Sequence, residues 1–146
     1  MTRDLTEASR LLYERQASFV LCRGETVIFG KERGIEPLLA FLENHADFTD
    51  FCAADRVVGK AAAFLYAKLG VKEVYAPVMS DAGIYTLARH GIYPVCEKSV
   101  SNILNQDRTD ICPIEKLISN VYDTEQAVSV LIDRLFETAS ERKVQK

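Results

Sequence analysis

The sequence lacks the features that mark membrane proteins, secreted proteins and nucleic-acid-binding proteins. Its apolar runs are far shorter than the roughly 20 residues that a membrane span requires. The first residues carry no apolar signal core, so we expect a cytoplasmic protein. Basic residues are not in excess, since 18 Lys and Arg stand against 21 Asp and Glu, for a net charge of -3. We therefore expect no binding to nucleic acid or to anionic membranes.

Patterns that bind metals are also absent. The two histidines, His45 and His90, each lie near the expected end of a helix, and no pair of residues has the spacing of a zinc site. We therefore expect no metal and no cofactor. The cysteines form no C-x-x-C pair, and without a secretion signal free thiols are the default. The four cysteines are Cys22, Cys52, Cys96 and Cys112.

What the sequence does contain is typical of one globular domain. It has 146 residues, of which 48% are hydrophobic and 27% are charged. We expect a single domain over residues 1–146. Its core is expected between residues 18 and 137, followed by a frayed polar tail at 140–146.

The apolar spacing predicts alternating helices and strands, an order that implies an α/β fold with helices on both faces of the sheet. A first helix, to about residue 16 and capped by Asp4 or Thr6, precedes a hairpin that turns at Gly24-Glu25. Further strands are predicted at 51–54, 73–77 and 93–96, and Pro94 places the last one at a sheet edge or makes this stretch a strand end. Further helices are predicted at 35–42, at 57–69, after Ser80 or Asp81, after Pro113 and after Asp123, with a polar loop at 99–111.

Three short segments lie where a ligand site is expected. In open α/β sheets, ligands bind beyond the carboxyl ends of the strands, where the following helices begin. This rule selects residues 31–34 after the hairpin, residues 55–60 after the next strand and residues 80–81 after the strand that follows.

The segment 55–60 is the most informative of the three. Gly59 lets another group approach the backbone closely, and Lys60 lies at a helix start, where a positive charge is useful if an anion binds. The alternative is structural: Asp55 pairs with Lys60 or caps the helix, and Gly59 only eases packing. The segment is not a Walker loop, because the upstream glycine and the following Ser or Thr are missing.

Cys112 is the second candidate. Pro113 favours the first position of a helix, which puts Cys112 at the N-cap, where thiols become more reactive. Asp107 and Asp110 act against this, and a buried, inert cysteine is the alternative. The other three cysteines lie in predicted strands and are expected to be core thiols.

Four stretches carry a family resemblance: K-E-R-G-I at 31–35, A-D-R-V-V-G-K-A-A-A at 54–63, K-E-V-Y-A at 72–76 and C-P-I-E-K-L at 112–117. With them the chain resembles, over residues 18 to 135, an uncharacterised bacterial and archaeal family of unknown function in the cytidine deaminase-like superfamily. The resemblance implies a three-layer α/β/α sandwich around a five-stranded mixed sheet. This fold agrees with the order of elements predicted above.

The resemblance does not extend to the zinc site of true deaminases. Those enzymes begin the helix after the hairpin with H-x-E and the next helix with P-C-x-x-C. Here the first place reads R-G-I at 33–35 and the second reads V-G-K at 58–60, while H-A-D at 45–47 falls at the wrong end of its helix. The resemblance therefore implies the fold and the pocket of a deaminase without its zinc chemistry.

Two functions stay open from the sequence. One is a zinc-free pocket protein that binds a small anionic or nucleotide-like ligand, with catalysis through Asp55, Lys60 and Cys112 as its enzymatic form. The other is a non-catalytic regulatory or binding module, and a zinc deaminase with rearranged ligands is a minor third. Whether the chain is an enzyme is undecided, and a homodimer is compatible with this kind of fold. The ligand-binding residues expected are Lys31, Gly34, Val58, Gly59 and Ser80.

Overall fold

A computed structural model of the protein describes residues 1–144. No helix in this part of the chain is long and apolar enough to cross a membrane. The helices are α1 (Arg3–Glu14), α2 (Glu36–Glu43), α3 (Lys60–Leu69), α4 (Asp81–Arg89), α5 (Pro113–Leu117) and α6 (Thr124–Val144). The strands are β1 (Phe19–Arg23), β2 (Thr26–Gly30), β3 (Cys52–Asp55), β4 (Val57–Val58), β5 (Glu73–Ser80) and β6 (Tyr93–Val100).

The sheet is mixed and five positions wide. β1 pairs antiparallel with β2 on one side and with β3 on the other, and β5 runs parallel to both β3 and β6. β4 also pairs with β5 and keeps the register of β3, since Ala54 lies opposite Tyr75 and Val57 lies opposite Val78. β4 therefore continues the line of β3. The expected five-stranded mixed sheet is confirmed, with one position divided into two short strands.

The division between β3 and β4 coincides with a proline in the neighbouring strand. The common register puts Arg56 opposite Pro77 of β5, and proline has no N–H to donate to a neighbouring strand. At the break the Arg56 N–H donates instead to the Asp55 carboxylate, at 2.7 Å. The strand is therefore interrupted at Arg56, and both Arg56 and Asp55, the last residue of β3, line a cleft.

Helices cover both faces of the sheet, as the alternation of elements predicts. α1 packs through Leu5 and Leu12 on the face to which Val20 of β1 points. Leu21 and Ala53 point to the opposite face and pack in the core around α3. α2, α4 and α6 pack against α3 in turn. The main core therefore lies between the sheet and α3.

α3 is almost completely buried. Eight of its ten residues are buried, from Lys60 in the first turn to Leu69 in the last, and only Lys68 is exposed. Gly70, with φ at +89°, ends the helix as predicted, and its N–H donates to the Tyr66 carbonyl at 3.1 Å. The start of α3 is consequently a rigid platform for whatever contacts it.

Two predicted helix starts need correction. α1 begins at Arg3, because Thr2 rather than Asp4 or Thr6 is the N-cap and its Oγ1 accepts the Leu5 N–H at 3.3 Å. Asp4 accepts the Gly24 N–H of the hairpin turn instead, at 3.1 Å. The helix expected from residue 57 begins at residue 60, because residues 57–58 pair with β5 as a strand.

The C-terminal half is more regular than the sequence predicted. β6 is an edge strand, as Pro94 indicated, but its pairing with β5 continues to Val100, four residues beyond the predicted end. The cap predicted for the last helix is confirmed, since the Asp123 carboxylate accepts the Gln126 N–H at 3.0 Å. This helix continues to Val144, into the segment where a frayed tail is expected, and residues 145–146 lie outside the described part of the chain.

Candidate functional site

A cleft of about 660 Å³ opens at the break between β3 and β4. Five parts of the chain line it: the entry and exit of the hairpin, the start of α2, the strand break, the start of α3, and α5 with the segment that leads into it. Its apolar surface comes from Ala17, Phe19, Ile35, Leu38, Val57, Ala61, Ala62, Ile103 and Ile114. Its polar residues include Lys31, Glu32, Arg33, Asp55, Arg56, Cys112 and Glu115.

Asp55 is the titratable group at the strand break. One oxygen of its carboxylate accepts the Tyr66 hydroxyl at 2.6 Å, and the other accepts the Arg56 N–H at 2.7 Å. Burial raises the pKa of Asp55 to about 6, against the hydrogen bonds from Tyr66 and the backbone and the charge of Arg56, which lower it. The cleft therefore contains a carboxyl group that gains or loses its proton just below neutral pH.

Tyr66 holds this carboxyl group from inside α3. Its side chain is fully buried, and burial together with the Asp55 charge raises the pKa of the phenol well above its ordinary value. Tyr66 consequently stays protonated and remains a hydrogen-bond donor to Asp55 at physiological pH. Because α3 is fixed on all sides, this contact sets the position of the carboxyl group.

Arg56 is hydrogen-bonded to the C-terminal end of α1 and to the loop that follows it. Its Nε donates to the Ala17 carbonyl at 2.9 Å, and Nη2 donates to the Leu12 carbonyl at 3.0 Å. The guanidinium also lies over the Tyr13 ring, 5.0 Å from its centroid. Carbonyl groups at the C-terminal end of a helix attract cations, so this arrangement holds the guanidinium against α1. Arg56 lines the cleft as a fixed positive charge.

The start of α3 is occupied by a carboxylate of the protein itself. Glu115 Oε1 accepts the Lys60 N–H at 2.7 Å, and Oε2 accepts the Ala61 N–H at 3.0 Å. A Cβ on Gly59 would overlap this carboxylate and lie 2.7 Å from Glu115 Cδ. Gly59 therefore does allow a close approach to the backbone, as predicted, but the group that approaches is Glu115.

The Lys60 ammonium lies outside the cleft. Its Nζ donates to the Ser119 carbonyl at 3.0 Å and lies 4.2 Å from the centroid of the Tyr122 ring. The side chain is buried, and burial lowers the pKa of the ammonium, while the charge of Glu115 raises it. The ion pair between Asp55 and Lys60, which the sequence left open, is not among the contacts of either residue. Asp55 bonds to Tyr66 and Arg56 instead.

The rim of the cleft is exposed and mostly basic. Lys31, Glu32 and Arg33 follow β2, and Gly34 adopts a φ of +84°, a conformation that favours glycine. The Ser18 hydroxyl donates to the Lys31 carbonyl at 2.9 Å and so fixes the start of this turn. The predicted residues Lys31 and Gly34 are thus at the mouth of the cleft.

Cys112 is in the cleft wall, at the N-cap of α5 as predicted. It is partly buried, and its N–H donates to the Ile103 carbonyl at 2.8 Å. Cys22 and Cys52 are fully buried, and burial raises the pKa of both thiols, that of Cys52 to about 11. Cys96 is partly buried in β6. All four thiols are free.

Two other predicted residues do not line the cleft. Val58 is buried in the core, and the Ser80 hydroxyl accepts the Gly83 N–H at 3.0 Å as the cap of α4. Among residues 1–144, no three His, Cys, Asp or Glu side chains are grouped so as to hold a metal ion. His90 bridges two helices, with Nδ1 2.8 Å from the Thr86 carbonyl and Nε2 2.7 Å from the Thr124 hydroxyl.

Sequence reasoning missed Tyr66 and Glu115. Tyr66 is eleven positions after Asp55 and meets it only because α3 folds back along the sheet. Glu115 is 55 positions after Lys60. The spacing of residues within a short stretch of sequence does not predict contacts of this kind. The one available signal for Glu115 was Gly59, which implied that some group approaches the start of α3.

Comparisons with known proteins agree on a family. No curated protein matches the chain. The crystal structure of a DUF1893 family protein (TM1506) from Thermotoga maritima has the same fold, with a TM-score of 0.84, 20% sequence identity and 92% of each chain covered. The family described as TM1506, domain of unknown function (DUF1893), matches residues 7–135. The chain therefore belongs to this DUF1893 family.

Proposed function

We propose that the protein binds a small amphipathic anion of nucleotide size in the cleft at the strand break. The observation that carries the proposal is the meeting of an apolar floor, one buried carboxyl group and a basic rim in a single cleft. Its volume of about 660 Å³ falls within the range of roughly 300–1,000 Å³ typical of small-molecule sites.

The residues that line the cleft favour a ligand with two chemically different parts. The apolar floor, which includes Phe19, Ile35 and Leu38, suits a flat or hydrophobic group. Asp55 keeps unused lone pairs and pairs best with N–H or O–H donors of that group. Lys31 and Arg33 at the rim suit a phosphate or carboxylate. A nucleoside monophosphate is the simplest molecule with this arrangement.

Asp55 also gives the cleft the means to move a proton. A general acid or base works best when its pKa is near the working pH, and burial brings the pKa of Asp55 to about 6. In the enzymatic form of the proposal, Asp55 exchanges a proton with the bound ligand, and Cys112 lies in the adjacent wall. Lys60 has no part in it, because its ammonium packs against Ser119 and Tyr122.

The relation to the cytidine deaminase-like superfamily is part of the same proposal. It is supported by the mixed sheet, by the hairpin that precedes α2 and by a cleft at the starts of α2 and α3. Those are the two places at which deaminases hold zinc. Residues 33–35 and 58–60 provide no zinc ligands there, so we propose a reaction or binding event without zinc.

Calorimetric titration with the common nucleoside monophosphates and their parent nucleosides tests the proposal. We expect at least one monophosphate to bind and its nucleoside to bind more weakly. Asp55→Asn and Arg33→Ala should each weaken binding by about tenfold or more, since a charge-assisted hydrogen bond contributes roughly 1.5–3 kcal/mol and 1.4 kcal/mol corresponds to a factor of ten. Lys98→Ala, which removes an exposed lysine from β6, is the control and should change nothing.

Two results would contradict the proposal. One is a panel in which no monophosphate binds at millimolar concentration. The other is binding that Asp55→Asn and Arg33→Ala leave unchanged. Binding without conversion of the ligand, followed by mass spectrometry, would support the non-catalytic form of the site over the enzymatic one.

A further inference from the structure

One wall of the cleft is formed by a segment with little support of its own. Residues 101–117 contain no buried residue, and the first buried position after them is Ile118. Within the segment, Ile114 packs partly buried against the main core. The backbone is tied by the Leu104–Ile111 bridge, by the Asn105 N–H to the Asp110 carbonyl and by the Cys112 N–H to the Ile103 carbonyl. A stretch with so few buried contacts opens at a low free-energy cost unless something anchors it.

Glu115 provides that anchor. Both of its oxygens accept N–H groups from the first turn of α3, at 2.7 Å from Lys60 and 3.0 Å from Ala61. These N–H groups have no partner within the helix, and the helix dipole makes a negative charge favourable there. The carboxylate therefore joins the exposed segment to a helix that is almost completely buried.

The residues around this contact pack closely against the carboxylate. Gly59 has no Cβ, and an added one would overlap the carboxylate. From the other side, the Lys60 ammonium donates to the Ser119 carbonyl, just after α5. Residues 115–119 are therefore held at two points. The backbone N–H groups of α3 bind the Glu115 carboxylate, and the buried Lys60 side chain binds the Ser119 carbonyl.

We infer that Glu115 closes the cleft and determines which end of it receives an anion. By binding the start of α3, Glu115 holds Ile103, Cys112 and Ile114 in place as a wall. Because its own negative charge fills the anion-attracting end of α3, an anionic ligand group is directed to Lys31 and Arg33 instead. The second statement rests on the proposed function, whereas the first holds whether or not any ligand binds.

The wall can be tested without a ligand, on the full chain. Glu115→Ala removes the anchor, and two readouts report on the wall. One is the rate at which iodoacetamide, a neutral reagent, alkylates Cys112. The other is hydrogen exchange at the Cys112 N–H, which the folded wall protects. We expect both rates to rise about tenfold or more, since two charge-assisted hydrogen bonds are lost and 1.4 kcal/mol corresponds to a factor of ten.

Two further variants separate the anchor from other effects. Glu115→Gln keeps the shape and one acceptor, so its rates should lie between those of the native protein and Glu115→Ala. Glu32→Ala removes a negative charge from the same cleft without touching α3, and it should leave both rates within about twofold of the native values, because exposed charges interact weakly. A purely electrostatic effect on the thiol would raise alkylation alone and leave hydrogen exchange unchanged.

The inference fails if Glu115→Ala, folded by its circular dichroism, leaves hydrogen exchange at Cys112 within twofold of the native rate. If Glu115→Ala does not fold, Glu115→Gln replaces it, and the same two rates are measured with a smaller expected increase. Neither result depends on nucleotide binding. A stable wall with no ligand affinity would therefore overturn the proposed function alone, and a loose wall with intact affinity would overturn this inference alone.

Discussion

At the scale of single residues, the position of Asp55 has a measurable consequence for stability. Its pKa is about 6 in the folded protein against an ordinary value of 3.8, so the folded state holds the proton more tightly than the unfolded state does. The contribution of Asp55 to stability therefore falls as pH rises from about 4 to about 7, and stays lost above that range. The difference between the two pKa values of Asp55 corresponds to about 3 kcal/mol.

Asp55→Asn isolates this contribution, because asparagine does not titrate. The difference in unfolding free energy between the variant and the native protein should grow in favour of the variant by about 3 kcal/mol between pH 4 and pH 7. Urea denaturation at several pH values measures it, and all other titrating groups cancel in the difference. A difference that does not change with pH would mean that Asp55 is not desolvated.

For Lys60→Ala, the contacts in the structure predict the opposite effect from the one that the sequence predicts. From the sequence, Lys60→Ala is expected to weaken ligand binding and leave the melting temperature unchanged. Because the ammonium is buried against Ser119 and Tyr122, we now predict a loss of about 1–3 kcal/mol in stability and no change in affinity. Thermal melts and nucleotide titration of Lys60→Ala distinguish the two predictions. If Lys60→Ala is as stable as the native protein and binds nucleotide more weakly, Lys60 belongs to the ligand site after all.

Cys112 should remain the most reactive thiol. Cys22 and Cys52 are fully buried, and burial raises the pKa of each, so they should react slowly. Cys96, which is also partly buried, is the matched comparison. Limiting iodoacetamide followed by peptide mass mapping ranks the four. Faster labelling at any other cysteine of the folded protein would contradict the hypothesis that its position at the start of α5 activates Cys112.

At the scale of elements, the close contact between α3 and α5 depends on a single glycine. Gly59→Ala should displace the Glu115 carboxylate, because the new methyl group would overlap it. The variant should therefore reproduce the faster Cys112 alkylation of Glu115→Ala. Gly34→Ala is the control: its Cβ would meet no atom within 4 Å, although its φ of +84° strains any side chain. Unchanged alkylation in Gly59→Ala would show that the wall adapts to the methyl group.

The start of α3 also shows which features of the structure the sequence could predict and which it could not. The start of α3 was expected at residue 57 because Val57 and Val58 continue the apolar pattern of the helix. Their pairing with β5 is a long-range contact that periodicity does not contain. The two extra strand residues change the direction of the side chains that follow. This is why Gly59 lines the cleft while Val58 and Lys60 do not.

At the scale of the whole molecule, the general position of the cleft was predictable and its internal contacts were not. The rule that ligands bind beyond strand ends brought together Lys31, Asp55 and Gly59, and the proline rule placed Cys112 at a helix start. These are consequences of topology and local chemistry. The hydrogen bonds from Tyr66 to Asp55 and from α3 to Glu115 depend on packing, so only the folded structure contains them.

The central claim is that the cleft at the strand break is the ligand site of the protein. Amide chemical-shift mapping of the isotope-labelled protein, titrated with each nucleoside monophosphate, tests it directly. We predict that the shifts concentrate at residues 31–34, 55–57, 112, 114 and 115, which line the cleft. The contrary result is a set of shifts centred on the small surface pocket between Tyr85, Arg89 and Tyr122, or no shifts at millimolar ligand.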